Sequence, residues 1–511
     1  MLDLVITGGQ VVTPQGVADM DVGVQGDKIV ALGWPGTLAG GGRTIDARGK
    51  IVVPGGIEPH AHINIPVPEM WAGKPDVMTQ PPEAATRAAA FGGVTTVIDF
   101  AGDLDLAPSS NAPRVPIAEH VERRRAVFRG HSYTDFAFHY ILAGEVAPQT
   151  IGEIGEAIQS GVASFKIFTT FRPIRVPYGH LWSIFAEVAK HGGIMAVHAE
   201  EDDVVTYMTE KLKREGRAQG YNLHLVHNNI SEDLAFRHII RLAQHTGTAV
   251  YFVHTTAKEG VAAVAEARRL GQPVYAEALH NYLHFTCDDY RKPGGTAIHT
   301  YPAIKFADDR DALIAGLLDG RLATTATDEY TVHKAYKLAG STIETVCGGH
   351  NGIETRMPVA FTKFVAERKM PLRGHYLRQR RAHPGPLSAE GRDPAGQRRG
   401  PRADRSRCQE DDRAGGPARG RRLQHLGGLR LPGLPGDDDP ARQGHRRARQ
   451  VSGQLVGRPL GGAPSLGRRS GPPGGVNHGG APSEAVSLTP PLQRASVVLL
   501  NSLARFAGGA V

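Results

Sequence analysis

The chain has few cysteines and no long apolar segment, the features expected of disulfide-bonded and of membrane-spanning proteins. It has only three cysteines in 511 residues. Their odd number and wide spacing argue against a disulfide framework, so we expect a reducing compartment. No apolar run is long enough to cross a bilayer, and the first segment, MLDLVITGGQVV, has no basic stretch followed by an apolar one. These absences predict a soluble, cytoplasmic protein with no membrane partner.

The C-terminal part of the chain lacks residue types that a folded core needs. Residues 372–511 contain no lysine, isoleucine, methionine or tryptophan, and they carry 24 arginines against 10 acidic residues. The formal net charge of +8 therefore comes from this tail, because the acidic residues outnumber the basic ones before it. We expect no nucleic-acid partner for the folded part, and such a tail composition predicts disorder.

Three interpretations compete for this tail. An Arg/Gly-rich RNA-binding segment would need interleaved aromatic residues, and only Tyr376 and Phe506 are present. A disordered linker is the second interpretation. In the third, a GC-rich gene is translated out of frame from about residue 373, since Arg, Gly, Pro and Ala have codons built from G and C alone. A one-base shift from Gly374 onward, with synonymous codons only, permits strings with apolar alternation and turn glycines, so we favour the third interpretation.

The first 371 residues divide into two patterns. Residues 1–53 contain short strand candidates with Gly-rich turns, which predict the N-terminal part of a small β-sandwich. Residues 54–371 alternate apolar strand candidates with helical patterns such as PPEAATRAAAFGG and SEDLAFRHIIRLAQ, the latter opened by a Ser N-cap. The strand candidates are 56–63, 94–100, 135–142, 163–168, 194–200, 249–255, 273–279 and 322–328.

Eight such alternations predict an α/β fold, a (β/α)8 TIM-like barrel with a β-sandwich satellite. The out-of-frame tail, residues 372–511, would then replace the C-terminal half of that sandwich. An open doubly wound sheet is the alternative for the barrel, but no GxGxxG or P-loop sequence supports it.

One lysine stands in an apolar run, GVASFKIFTT, between Phe165 and Ile167. An unpaired ammonium group buried in a strand would be very costly. In one interpretation the stem of Lys166 follows a strand edge and its head reaches water. In the other, desolvation lowers the pKa of Lys166, and the neutral amine adds carbon dioxide to become N6-carboxylysine, a carboxylate-like group.

Candidate metal ligands follow several of the predicted strands. His60 and His62 are two residues apart, so both imidazoles project from the same face of a strand. His198, His254 and Asp328 close the fifth, sixth and eighth strand candidates. In a barrel these strand ends meet at one mouth, where active sites of this fold lie.

The pattern predicts two divalent metal ions. His60, His62 and Asp328 would hold the first ion, and His198 and His254 the second. Carboxylated Lys166 would bridge both. Two close metals polarise a carbonyl and activate water, and Asp328 would be the catalytic residue that moves the proton from that water to a leaving nitrogen.

These residues carry a resemblance to a known family. The chain resembles the cyclic amidohydrolases of the dihydropyrimidinase and hydantoinase group, through the segments PGGIEPHAHINIP, AAAFGGVTTVIDFA, SFKIF, VHAEEDD, FVHTTAKE, GQPVYAE, ATTATDEY and NGIETRMP. The resemblance implies a binuclear zinc hydrolase that opens a cyclic ureide or imide. It also implies a homodimer or homotetramer where the C-terminus is intact. A non-catalytic assembly protein on the same scaffold, or an impaired frameshifted product, are the alternatives.

The resemblance also implies which residues bind the substrate, and it shows where this sequence differs from the family pattern. Backbone groups of Thr300, in HTYPAIK, and Asn351, in HNGIE, would bind the substrate. Phe171 stands where the family has a tyrosine that donates to the oxyanion, so Tyr178 or Tyr330 would have to replace it. The sequence TDEY replaces the commoner TDHC-like sequence beside Asp328. Two further expectations are a loop near the mouth at 71–80 and structural roles for other histidines, His131, His139, His224 and His280 among them.

Overall fold

A computed structural model of the chain describes residues 1–38, 40–102, 114–374 and 497–499. The hypotheses on the tail, residues 372–511, therefore lie outside the described residues except at 372–374 and 497–499. Cys287 and Cys347 are free and buried. No helix in the described ranges is both long and apolar enough to span a bilayer.

The described residues form strands and helices in regular alternation after the first 53 residues. The strands are β1 (Leu4–Val12), β2 (Val17–Gln25), β3 (Lys28–Gly33), β4 (Arg43–Asp46), β5 (Ile51–Val53), β6 (Gly56–Glu58), β7 (Val94–Ala101), β8 (Asp135–Ile141), β9 (Ser164–Phe168), β10 (Ile194–His198), β11 (Ala249–Phe252), β12 (Val274–Leu279), β13 (Thr324–Ala326) and β14 (Val497–Leu499). The α-helices are α1 (Glu69–Ala72), α2 (Pro82–Phe91), α3 (Ile117–Phe128), α4 (Pro148–Gly152), α5 (Ile154–Gln159), α6 (Tyr178–Lys190), α7 (Asp202–Arg214), α8 (Leu223–Val226), α9 (Asn229–Thr246), α10 (Lys258–Arg269), α11 (Ala307–Asp319), α12 (Lys334–Lys337) and α13 (Arg356–Ala360).

Eight strands, β6 to β13, form one parallel sheet in sequence order. This order confirms the barrel and excludes the doubly wound alternative, whose strand order reverses at a switch point. All five residues of β9 and of β10 are buried, as expected for strands covered on both faces. The helix α2 follows its predicted pattern, whereas α9 begins earlier than predicted. Its N-cap is Asn228, whose side chain accepts a hydrogen bond from the Ser231 N–H, so the predicted Ser N-cap is wrong.

The barrel closes between its first and last strands through an isolated pair beyond their ladder ends. Ala61 forms a parallel bridge with Glu329, and the His62 N–H donates to the Glu329 carbonyl at 2.7 Å. This closure joins the segment that carries His60 and His62 to the segment that carries Asp328, so the predicted ligands of the first metal meet at the seam.

Deeper in the same seam, a fully buried arginine holds the two strands together. The Arg356 guanidinium donates to the Ile57 carbonyl of β6 at 2.8 Å and to the Thr325 carbonyl of β13 at 3.1 Å. It also forms an ion pair of 2.9 Å with Glu58. Burial raises the pKa of Glu58 to about 7 even though Arg356 opposes the shift.

Replacing Arg356 with methionine is therefore expected to destabilise the barrel. The change removes the Arg356 donors from two strand carbonyls and the cation from the buried Glu58 carboxylate, and breaking a buried ion pair costs about 3–5 kcal/mol of unfolding free energy. Chemical denaturation measures the loss. Arg123, whose side chain is 63% exposed, provides the control, since Arg123→Met should change the unfolding free energy by about 0.5 kcal/mol or less. Equal midpoints for the two variants would contradict the role of Arg356.

The first 53 residues form a separate mixed sheet. Strands β1, β2 and β3 are antiparallel neighbours, and β4 and β5 pair with β1 in parallel. The backbone of β14 pairs in parallel with β5. A small apolar core packs within this sheet, around Ile6, Val22 and Val52. The sheet is the satellite that the sequence predicts beside the barrel.

Candidate active site

Lys166 lies in the middle of β9, and only 1% of its surface is exposed. Its Nζ atom lies 5.5 Å from the ring centroid of Phe100 and 5.1 Å from that of Phe168. Of the two interpretations, the one in which its head reaches water is therefore wrong. Burial lowers the pKa of Lys166 to about 8, against the opposing charges of Asp328 and Glu277. A neutral amine is thus accessible near physiological pH.

A buried group of histidines and one aspartate surrounds the barrel mouth beside this lysine. Ligand atoms of His60, His254 and Asp328 all lie within 4.8 Å of one another. The Asp328 Oδ1 atom is 3.2 Å from His60 Nε2 and 3.1 Å from His62 Nε2. The rings of His198 and His254 are 4.5 Å apart between centroids. The structure therefore brings the five predicted protein ligands other than Lys166 into one cluster.

The state of these groups suits cation binding. Burial lowers the pKa of His62 to about 4 and that of His254 well below its usual value. Burial alone would raise the pKa of Asp328, but His60 and His62 hold it well below its usual range. His60 Nε2 is buried without a hydrogen-bond partner in the described residues. Neutral imidazoles beside an ionised carboxylate are the protonation states that a metal requires.

Four of these ligands lie beyond their strands rather than within them or at their ends. His60 and His62 follow β6 by two and four residues, so the prediction that both project from one strand is wrong. His254 follows β11 by two residues and has a φ of 37°, and Asp328 follows β13 by two residues and has a φ of 51°. Such left-handed conformations cannot continue a strand and are costly for residues with a Cβ atom. Both side chains turn into the mouth as a result. Lys166, by contrast, lies within its strand and is paired on both sides, with Ile141 and with Ala196.

A buried carboxylate orients each half of the cluster. Glu277 of β12 lies 2.7 Å from His60 Nδ1 and accepts hydrogen bonds from Tyr251 Oη and from the His254 N–H. A donor Nδ1–H on His60 leaves the lone pair on Nε2 for a metal, which is the usual arrangement around metal-binding histidines.

Glu200 is the buried carboxylate that orients the other half of the cluster, at His198. It lies 2.9 Å from His198 Nε2 and 2.9 Å from His227 Nδ1. Burial alone would raise the pKa of Glu200, but these two histidines lower it. Sequence reasoning missed Glu200, Glu277 and His227. For Glu277 the sequence did carry a signal, the same one as for Lys166: a charged residue within an apolar run, VYAEAL.

Replacing Glu277 with glutamine tests this support. A glutamine cannot both accept from the three donors and fix the His60 tautomer, so we expect metal affinity to fall about 10–100-fold. Competition with a chelator measures the change. Glu266, an exposed residue of α10, is the matched control, and Glu266→Gln should leave the affinity unchanged. Identical affinities in the two variants would show that Glu277 does not orient a ligand.

The predicted substrate residues lie on loops at the mouth. Thr300 is buried, and its hydroxyl lies 2.7 Å from Tyr282 Oη. Asn351 is exposed and precedes Gly352, whose N–H donates to Glu329 at 2.7 Å. Thr300 follows β12 and Asn351 follows β13 along the chain, so both belong to loops beyond strand ends.

The candidate oxyanion donors differ in position. Phe171, with a φ of 63°, packs its ring 5.1 Å from that of His198. Tyr178 is half exposed, and its hydroxyl lies 2.9 Å from His238 Nδ1. The Tyr330 ring lies 6.1 Å from that of His62, and its hydroxyl donates to the Pro66 carbonyl. Of the two tyrosines, Tyr330 is the one beside the cluster.

The loop predicted at 71–80 begins beside these aromatic rings. Trp71 stacks on Tyr301 with ring centroids 5.2 Å apart and lies 6.4 Å from Tyr330. Tyr301 in turn contacts the Phe171 ring edge-on at 5.7 Å. Aromatic side chains therefore line one side of the mouth, continuous with the histidine cluster.

A parallel eight-stranded barrel thus carries at its mouth a buried His/His/Asp group that could hold a metal ion, an arrangement suited to a hydrolase. No family model matches the chain. The chain is 30% identical over 363 residues to a D-hydantoinase of Streptomyces coelicolor, covering 69% of this chain and 74% of that protein. It is likewise 30% identical to an allantoinase of Solibacter usitatus, over 70% of this chain and 74% of that protein.

Solved structures agree with these relatives. A dihydropyrimidinase from Brevibacillus agri aligns with a TM-score of 0.66 and 26% identity, over 73% of this chain and 78% of that one. A D-hydantoinase aligns with a TM-score of 0.67 and 27% identity, over 73% and 79%. The chain belongs to the cyclic amidohydrolases, in the group of hydantoinases, allantoinases and dihydropyrimidinases, and its reaction class is the hydrolysis of a cyclic amide.

Proposed function

We propose that this protein opens the ring of a hydantoin, a dihydropyrimidine or a related cyclic ureide or imide at an amide C–N bond, with two divalent metal ions. The observation that carries the proposal is the buried His60/His254/Asp328 group beside the buried amine of Lys166. Two ions bound there, zinc by the nature of the donors, would activate a water molecule and polarise the scissile carbonyl.

The six predicted ligands divide between the ions as the sequence suggests. His60, His62 and Asp328 would hold the first ion, and His198 and His254 the second. Lys166 would bridge them as N6-carboxylysine. In that modification the neutral Nζ attacks carbon dioxide, an N–C bond forms, and one proton leaves, which gives an anionic carbamate. The apolar surroundings of Lys166 supply the neutral amine that this step needs.

The other steps fall to side chains and backbone groups of this chain. Asp328 is held ionised by its histidine neighbours, so it accepts a proton from the attacking water and returns it to the leaving nitrogen. Thr300 and Asn351 would bind the substrate through backbone groups. Tyr330 lies nearer the cluster than Tyr178, but its hydroxyl would have to give up its hydrogen bond to the Pro66 carbonyl to stand in for the absent oxyanion donor at Phe171. Loss of such a donor typically raises the activation barrier by about 2.7–4 kcal/mol, which another interaction with the substrate would have to offset.

We further propose that the enzyme is cytoplasmic and forms a dimer or tetramer when its sandwich is complete. The proposed domains are residues 1–53 for the sandwich and 54–371 for the barrel. A non-catalytic assembly protein is the less favoured alternative, because all six ligand residues are present.

Metal analysis together with a ring-opening assay tests the proposal. The purified protein should contain close to two divalent ions per chain and should open hydantoin or dihydrouracil. A metal-free protein without ring-opening activity after reconstitution with zinc would overturn it.

A further inference from the structure

Lys337 has a buried ammonium group whose contacts join two loops at the mouth. It ends α12, and only 7% of its surface is exposed. Its Nζ donates to the carbonyl oxygens of His299 at 2.8 Å, of Cys347 at 2.5 Å, and of Gly349. Within the described part of the chain, it forms no ion pair with a carboxylate. All three N–H groups of the Lys337 ammonium therefore donate to backbone carbonyls, in the segments 299–301 and 347–351.

These contacts fix the direction of two peptide N–H groups. The His299 carbonyl shares its peptide unit with the Thr300 N–H, and the Cys347 carbonyl shares its unit with the Gly348 N–H. Both units are trans, so each N–H points away from Lys337. A cation at the carbonyl oxygen also polarises the peptide unit, which makes its N–H a stronger donor.

Neither of these N–H groups has an acceptor. Thr300 and Gly348 are buried, and among the residues described by the structure neither backbone N–H donates a hydrogen bond. Buried N–H groups without an acceptor are rare in native proteins, because each costs the free energy of a lost hydrogen bond. Two of them, both tied to one lysine, indicate an acceptor that arrives from outside the chain.

The position of the loops ties them to the reaction site. Tyr301, next to Thr300, packs its ring 5.7 Å from Phe171 and 4.9 Å from His227. Phe171 contacts the His198 ring, and His227 is linked to His198 through Glu200. The loop that carries the Thr300 N–H is therefore packed against the residues that surround the second proposed metal.

We propose that Lys337 is a positioning residue that aims the backbone N–H groups of Thr300 and Gly348 at acceptor oxygens of the cyclic amide substrate. The inference rests on the proposed function. Lys337 itself touches neither substrate nor metal. Burial lowers its pKa to about 8, so the group remains largely cationic at neutral pH.

Lys337→Ala in the full chain tests the inference, with hydantoin as the probe. Weakening two substrate hydrogen bonds should raise KM about 10-fold or more, while kcat and the metal content change little. Methylammonium, which can occupy the space of the missing head group, should lower KM again. Lys334, an exposed residue of the same helix, provides the control, and Lys334→Ala should match the wild type. An unchanged KM in Lys337→Ala, or a loss of metal together with kcat, would overturn the inference.

A second measurement needs no variant and remains informative if Lys337→Ala does not fold. Hydrogen exchange of the wild-type protein should slow in the segments 299–301 and 347–350 when hydantoin is added. Unaltered exchange in both segments would overturn the inference. If the wild type fails to open hydantoin, the proposed function fails, whereas protection of the two segments in that same protein would still show that the ring binds at these N–H groups, and the KM of Lys337→Ala tests the role of Lys337.

Discussion

Lys166→Ala is expected to lower kcat/KM for hydantoin by about 10³-fold or more, because the bridge between two activating metals is lost. The residue is buried in the centre of β9, so no neighbouring side chain can take its place by a rotamer change. Metal content should fall at the same time, since both ions lose an anionic ligand. Steady-state kinetics and metal analysis on the same preparation measure the two effects together.

A short carboxylic acid such as acetate should restore part of the activity of Lys166→Ala, because it supplies a free carboxylate in the space left by the carbamate. Lys190→Ala is the control, since Lys190 ends α6 with 65% of its side chain exposed, and its activity should equal that of the wild type. Full activity and full metal content in Lys166→Ala would refute the bridging role.

The second large effect is expected from Asp328→Asn. Asparagine is nearly the same size, but it cannot accept a proton, and its amide is a poorer metal ligand. Loss of general-base catalysis alone typically costs about 10²–10⁴-fold in rate. We therefore expect kcat for ring opening to fall by at least about 10³-fold, measured with metal supplied in excess.

Asp203→Asn is the matched control for this change, since Asp203 is the second residue of α7 and 77% of its side chain is exposed. Its kcat should remain at the wild-type value. Measuring Asp328→Asn at saturating zinc separates the two roles of the residue. A kcat that returns to the wild-type value under those conditions would leave Asp328 as a ligand only and would exclude it as the proton carrier.

The barrel was predictable because its strands and helices carry local signals. Apolar, β-rich runs mark strands such as β7 and β9, and apolar residues at helical spacing mark α2. The mouth followed from topology, since the carboxyl ends of parallel strands meet on one face. His60, His62, His198, His254 and Asp328 could be grouped for this reason before any distance was known.

Conformation at the strand ends was not predictable from the same signals. The candidate strands 249–255 and 322–328 end early, each two residues before its ligand, His254 or Asp328, because both ligands adopt left-handed backbone angles. Residue type gives little warning of such a conformation, which tertiary contacts impose. The N-cap of α9 shows a smaller case, in which Asn228 and Ser231 compete and the earlier residue caps the helix.

The supporting groups of the site also escaped sequence reasoning. Glu277 and His60 are 217 residues apart along the chain, and their 2.7 Å contact exists only because β6 and β12 belong to one barrel. Lys337 contacts carbonyls 38, 10 and 12 residues away. Contacts between such residues leave no periodic pattern in a single sequence. The only indication of a buried partner was a charged residue within an apolar run, as at Glu277.

The measurement that tests the central claim most directly is a crystallographic map at the mouth, recorded with anomalous scattering near the zinc edge. The account predicts two anomalous peaks, one beside His60, His62 and Asp328 and one beside His198 and His254. It also predicts continuous density for a carboxyl group beyond Lys166 Nζ, touching both peaks. An unmodified Lys166 amine, with no anomalous peak beside it in zinc-reconstituted protein, would contradict the account.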